Sequence, residues 1–139
     1  MRAVLLCCVL TPTLLTVLLM FLLYAQLRRF RRQVPKIAGQ GDMDSFKRLA
    51  SFQMRAAEFT LPLILAPIIV WALGKFVFGA LGWLDVVSYG LLPLAFPVIC
   101  SSFMVGAARE VRATPASGEF EAERDHVAEV WVREKRPDW

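Results

Sequence analysis

Three long apolar runs dominate the chain, and its charged residues fall between and after them. Ala3 to Leu27 is 25 residues without a charge, bounded by Arg2 and Arg28. As a helix it is about 37 Å long, enough to cross a bilayer core of roughly 30 Å. The second run is uncharged from Phe59 to Gly74, meets Lys75 and continues apolar to Leu84. A lysine can reach the headgroups along its methylene stem, so a span over residues 57–78 is predicted. Val86 to Ala108 adds 23 uncharged residues closed by Arg109. The pattern therefore predicts spans at 3–27, 57–78 and 86–108 within a transmembrane domain of residues 1–110. The rival for the first run, a cleaved signal peptide, calls for an apolar region of about 7–15 residues before a small-residue cleavage site. Here the run ends at Tyr24-Ala25-Gln26-Leu27 and then Arg28, Arg29, Arg31 and Arg32, which reads as a stop-transfer flank.

Prolines and short connections refine this outline. Pro12 removes a backbone donor and predicts a kink, while Pro62 and Pro67 are tolerable in a membrane helix packed on neighbours. Pro93 and Pro97 predict a bent third helix with a local groove beside Ser101 and Ser102, and Gln26 and Glu58 are further candidates to line a polar groove. Only Gly79 to Asp85 separates the second and third spans, which predicts a tight turn with Trp83 at the interface.

Outside the apolar runs, residues 28–56 form a basic loop with a break at Val34-Pro35 and a flexible Ala38-Gly39-Gln40-Gly41. Asp42 or Asp44 can then cap a helix in which Phe46, Leu49, Phe52 (or Gln53) and Ala56 recur at helical spacing. The expected result is a basic helical hairpin extending the first two spans. Residues 111–118 read as a linker, and residues 119–139 as an amphipathic tail. Its acidic start (Glu119, Glu121, Glu123, Asp125) and basic end (Arg133, Lys135, Arg136) complement a helix dipole, predicting a helix from Gly118 to Arg136. Phe120, Val127 and Trp131 (or Val130) form its apolar stripe, expected to dock on a partner. A strand over Val130-Trp131-Val132 is the alternative.

Composition agrees with the pattern: 57% of the 139 residues are hydrophobic, and a mean hydropathy of +0.52 exceeds that of an ordinary soluble domain. The fold class expected is an all-α integral membrane protein. The formal charge of +4 flanks the apolar runs instead of covering a soluble surface, so it reads as topology and not as a nucleic-acid site. Eight positive residues (Arg28, Arg29, Arg31, Arg32, Lys36, Lys47, Arg48, Arg55) follow the first span, against Arg2 and Lys75 on the other side. The positive-inside rule then puts the loop and tail on the cytoplasmic, matrix or stromal side of a bacterial inner or organellar membrane, with the amino terminus outside. Lys36, Lys47, Arg48 and Arg55 are placed to meet anionic lipid headgroups.

No constellation of reactive residues stands out. Cys7, Cys8 and Cys100 all lie in predicted spans without metal-ligand or disulfide spacing and read as packing residues. His126 is the only histidine and cannot supply a pair of haem ligands. There is no Gly-rich phosphate loop, nucleophile elbow or zinc motif. No cofactor, metal or small-molecule substrate is therefore inferred. Glu58, preceded by Arg55, and Lys75 with Asp85 read as ion pairs that fix helix depth.

Two family resemblances follow from this outline. A first span, a basic helical segment and a close pair of spans resemble the three-helix core of membrane-protein insertases of the YidC type, over most of residues 10–110. That likeness implies a polar groove open to the cytoplasm, for which Gln26, Ser101, Ser102 and Arg55 are the available side chains. Arg48, Arg55, Glu58 and Pro62 also resemble a charged run in the membrane-associated eicosanoid and glutathione metabolism family. That likeness covers about fifteen residues, without the asparagine expected before the glutamate. The function expected overall is a non-enzymatic accessory subunit of a multi-subunit membrane complex, with an insertase or chaperone as the alternative and a small membrane enzyme or transporter component behind it. Other integral membrane subunits and anionic lipids are the expected partners. The orientation has a direct test: with the native cysteines replaced, a cysteine at Gln40 should react with an impermeant thiol reagent only after permeabilisation, and labelling of sealed cells or organelles would reverse the topology.

Overall fold

The computed structural model describes residues 2–134 and 136–139, with side chains for all of these except Val86 and Leu92. The described residues are mostly helical and contain no strand. Helix α1 spans Arg2–Gln33, and α2 spans Gln40–Ala72 and runs on through one π-helical turn, Leu73–Val77. A short α3, Trp83–Val86, and a second π turn, Val87–Leu91, lead into α4, Leu92–Arg112. The last helix, α5, covers Gly118–Arg133. Three helical stretches, Arg2–Gln33, Gln40–Val77 and Trp83–Arg112, are long and apolar enough to cross a membrane.

Local chemistry explains the irregular points. The α1 helix continues through Pro12, and the hydroxyls of Thr13 and Thr16 donate back to the carbonyls of Val9 and Pro12 at 2.9 and 2.8 Å. Such back-bonding gives a polar side chain its partner inside its own helix. The second π turn ends just before Pro93, whose ring would otherwise press on the preceding turn of a regular α-helix. Between α2 and α3 the chain reverses at Gly79, where φ is +57°, a conformation that favours glycine. The amides of Ala80 and Leu81 then both donate to the Gly74 carbonyl, at 2.9 and 3.3 Å.

The chain divides into two compact units, one of residues 2–21 with 59–102 and one of residues 22–58 with 103–139. In the first unit the interior is small. Val9, Met20, Thr13, Thr16 and Leu81 are buried, together with Pro67, Pro97, Gly74 and Gly90. A β-carbon at Gly74 would lie 2.6 Å from the Leu81 side chain, so glycine is what lets these two segments close up. Outward stand Leu14, Phe21, Leu61, Ile69, Phe96 and other large apolar side chains. Of the most apolar part of each of the three long helical stretches only 22%, 11% and 6% is covered by the chain itself.

The second unit has the opposite arrangement, an apolar interior and a charged exterior. Leu27, Phe30, Ile37, Met43, Phe46, Leu49, Ala50, Val111 and Val127 form one buried cluster. Phe46 is fully buried at its centre, with ring centroids 5.9 Å from Phe30 and 6.0 Å from Trp131. Where the sequence allowed Phe52 or Gln53 on the inner face of α2, Gln53 faces in and Phe52 out. The Gln53 amide donates to the Leu23 carbonyl at 3.2 Å, which satisfies a buried polar group. The α2 helix begins at Gln40, ahead of the expected cap, and Asp42 accepts from the Ala38 amide at 3.1 Å.

The connection between α4 and α5 covers residues 113–117 and is tied down. Ile37 donates to the Pro115 carbonyl and accepts from the Ser117 amide, at 2.9 and 2.8 Å, making a parallel bridge between Ile37 and Ala116. The α5 stripe is also not left for a partner. Val127 is fully buried in the cluster, and Phe120 and Trp131 pack against it. An amphipathic face requires apolar cover, and the nearest lay within the same chain. The segment Val130 to Val132 is helical. If this packing holds α5, Val127→Asp, which buries an unpaired charge, should expose the tail. Trypsin should cut in residues 109–124 at least about tenfold faster than in the parent. An unchanged rate would mean that α5 does not depend on this contact.

Candidate functional site

A broad charged concavity of the second unit lies on the outer face of α2. Lys47, Arg48, Ser51, Phe52 and Arg55 recur at the three- and four-residue spacing that lines up side chains on one helix face. Pro137 and Trp139 supply the opposite wall, and the open groove between them measures about 620 Å³. The 136–139 segment is held by several contacts. Trp139 packs on the apolar cluster, Asp138 lies 3.2 Å from the His126 imidazole, and Arg136 lies 3.8 Å from Glu58.

The charges in this groove are unequal. Lys47 is paired with Glu123 at 2.5 Å. Among the described residues no acid pairs with Arg48 or Arg55, and both are exposed. Asp44, at the far end, accepts from the Gln40 side chain at 3.2 Å and is the one carboxylate lining the groove. The result is a cationic face with two aromatic side chains and little internal neutralisation. A smaller cleft of about 390 Å³, lined by Val34, Pro35 and Thr114, is crossed by an ion pair between Arg31 and Glu110.

The remaining expected residues are dispersed. Arg28 folds back on Tyr24, donating to its hydroxyl at 2.9 Å and stacking at 5.3 Å, while Arg29 and Arg32 are exposed. Gln26 is exposed, Glu58 meets Arg136 and not Arg55, and the hydroxyls of Ser101 and Ser102 turn to the Val98 carbonyl of their own helix at 2.7 and 3.4 Å. No described hydrogen bond joins any two of these four candidates for a polar groove. Of the tail residues Val127 is buried in the cluster, and Phe120 and Trp131 pack against it half-buried. Arg112, four residues beyond the apolar run, stacks on Trp131 at 5.8 Å, and burial draws its guanidinium below the ordinary arginine value.

In the first unit the ion pair differs from the expected one. Asp85 pairs with Arg2 at 2.6 Å and accepts from the Gly82 amide at 2.9 Å. Lys75 lies 4.6 Å above the Trp83 ring instead. Nearness in sequence favoured Lys75 as the partner, but the helix start at Trp83 turns Asp85 back onto its own first turn. Cys7, Cys8 and Cys100 are free thiols, and the described residues include no group of three His, Cys, Asp or Glu able to hold a metal ion.

The chain matches no family model, no curated protein and no solved structure. The Asp85 cap yields a prediction that separates its two contacts. Asp85→Ala should raise hydrogen exchange at the Gly82 amide several-fold, while Asp85→Asn, which keeps an acceptor, and Arg2→Gln, which removes only the ion pair, should change it little. Equal loss of protection in all three would mean that the ion pair, not the cap, holds the turn.

Proposed function

We propose that this chain is a non-enzymatic accessory subunit of a larger membrane complex. On this reading its three apolar helices cross the bilayer, and its second unit lies on the cytoplasmic, matrix or stromal side. The observation that carries the reading is how little the spanning helices cover one another. In the third, only 6% of the most apolar stretch is buried. Membrane helices associate by close packing, small residues and interhelical hydrogen bonds. Here the hydroxyls of Thr13, Thr16, Ser101 and Ser102 are engaged within their own helices, leaving neighbouring helices as the natural source of further packing.

The surface offered to such neighbours includes a ridge of α4. Phe96 and Ile99, 62% and 56% exposed, lie three residues apart on it. Purification in mild detergent followed by native mass measurement is the deciding experiment. The expected result is a particle heavier than the 15.7 kDa chain that contains other integral membrane proteins. Phe96→Ala combined with Ile99→Ala should cut their recovery several-fold while leaving the chain folded. A lone chain with catalytic turnover would overturn the proposal. Crosslinks dominated by nascent membrane proteins would instead favour an insertase.

A further inference from the structure

The groove on α2 has features that the accessory role does not use: two unpaired guanidinium groups, a hydroxyl and two aromatic side chains, at a defined distance from the apolar run. We propose that it binds the headgroup of an anionic membrane phospholipid, with Arg55 as the ligand of the phosphate and Arg48, Phe52 and Trp139 further from the apolar run, along the outer part of the headgroup. The inference rests on the membrane reading of α2.

Position along the helix selects a lipid over a soluble anion. Arg55 precedes Phe59, the start of the uncharged run, by four residues, which is about 6 Å at 1.5 Å per residue. That is the depth of the headgroup layer outside the hydrocarbon core. Helical side chains lean towards the amino-terminal end of their helix, so Arg55 is directed along the groove towards Ser51 and Arg48. A guanidinium presents a planar fork suited to phosphate, and two of them on one face give a stronger claim on an anion than a scattered basic surface. Phe52 is 45% exposed although it sits in a charged surface. Trp139 is held beside it by packing on the cluster. Phe52 lies three residues, about 4.5 Å, further out along α2 than Arg55, so the rings meet the outer part of the headgroup and not the acyl chains. A free phosphate would have no use for either ring. Asp44 marks the distal limit of the anion site, since its carboxylate repels a phosphate placed further from the membrane.

The test uses the full chain in detergent, titrated with phosphatidylglycerol or with phosphatidylcholine of the same acyl chains, with bound lipid counted by native mass spectrometry. Phosphatidylglycerol should be retained at least about tenfold more strongly than phosphatidylcholine. Arg48→Gln with Arg55→Gln should abolish that preference, and Arg48→Lys with Arg55→Lys should restore part of it. Arg29→Gln with Arg32→Gln, which removes equal charge elsewhere in the unit, should leave it intact. Equal retention of both lipids, or the same loss in the Arg29/Arg32 variant, would overturn the site. Displacement of the lipid by millimolar inorganic phosphate would overturn the lipid assignment in favour of a soluble phosphate. A chain that stays in solution without detergent would instead overturn the membrane reading on which the proposal rests.

Discussion

Burial of Phe46 is the constraint on which the organised part of this protein depends. Its ring is fully enclosed, and the buried cluster it belongs to draws on the end of α1, the start of α2, Val111 near the end of α4 and Val127 of α5. Burying a side chain of that size contributes about 1.5–3 kcal/mol. Nothing closer in sequence could supply the cover, because α2 presents its other faces to solvent and carries Lys47, Arg48 and Arg55 there. The helix ends must therefore converge, and convergence fixes the connections. Ile37, fully buried, ties the connection between α1 and α2 to the cluster, and its backbone finds its partners in Pro115 and Ser117. The bridge between Ile37 and Ala116 is thus a consequence of core packing: once two loops are drawn under the same cluster, their polar groups must pair.

Apolar runs were legible in the sequence because their signal is compositional. Twenty-five uncharged residues from Ala3 to Leu27 need no partner to be recognised as a helix long enough to cross a bilayer. An amphipathic stripe is different, since it announces a need for cover without naming what supplies it. Phe120, Val127 and Trp131 read equally well as a docking face and as an intrachain closure, and only the geometry around Phe46 distinguishes them. The same limit applies to Gln53 and Phe52. Hydrophobicity ranked the phenylalanine as the inner residue, yet the helix phase set by Met43, Phe46 and Ala50 places the glutamine inside, where the Leu23 carbonyl accepts from it. Phase along a helix is a collective property, and one strong side chain does not overrule it.

Ion pairs were the least legible feature for a related reason. Lys75 and Asp85 looked like partners because only nine residues separate them. The pairing found, Arg2 with Asp85, spans 83 positions and depends on how α3 begins. Glu58 likewise meets Arg136 instead of Arg55. Charged side chains are long and adaptable, so their partners are decided after the backbone is placed. The groove on α2 belongs to the same class. Its cationic wall is written in the spacing of Lys47, Arg48 and Arg55, but its other wall comes from Pro137 and Trp139, far along the chain.

Helices α1 and α2 change the sense of their pattern as they pass from one compact unit to the other. In α1 the residues up to Phe21 expose leucine and phenylalanine, whereas those after it bury Leu23, Leu27 and Phe30 and expose Gln26, Arg28, Arg29, Arg31 and Arg32. In α2 the order runs the other way, with charged residues outside as far as Glu58 and Phe59, Leu61 and Leu65 outside beyond it. A single solvent cannot favour both surfaces. Water would penalise the exposed apolar half, and hydrocarbon would penalise the charged half more strongly still. In α2 the reversal falls near Glu58/Phe59, where the division into units also falls, whereas in α4 the exposed apolar surface runs past that division through Phe103 and Val105 to the first exposed charge at Arg109. The position at the turn of the pattern in α2 makes Arg55 and Glu58 boundary residues, by the same reading of exposure that makes Phe46 an interior one.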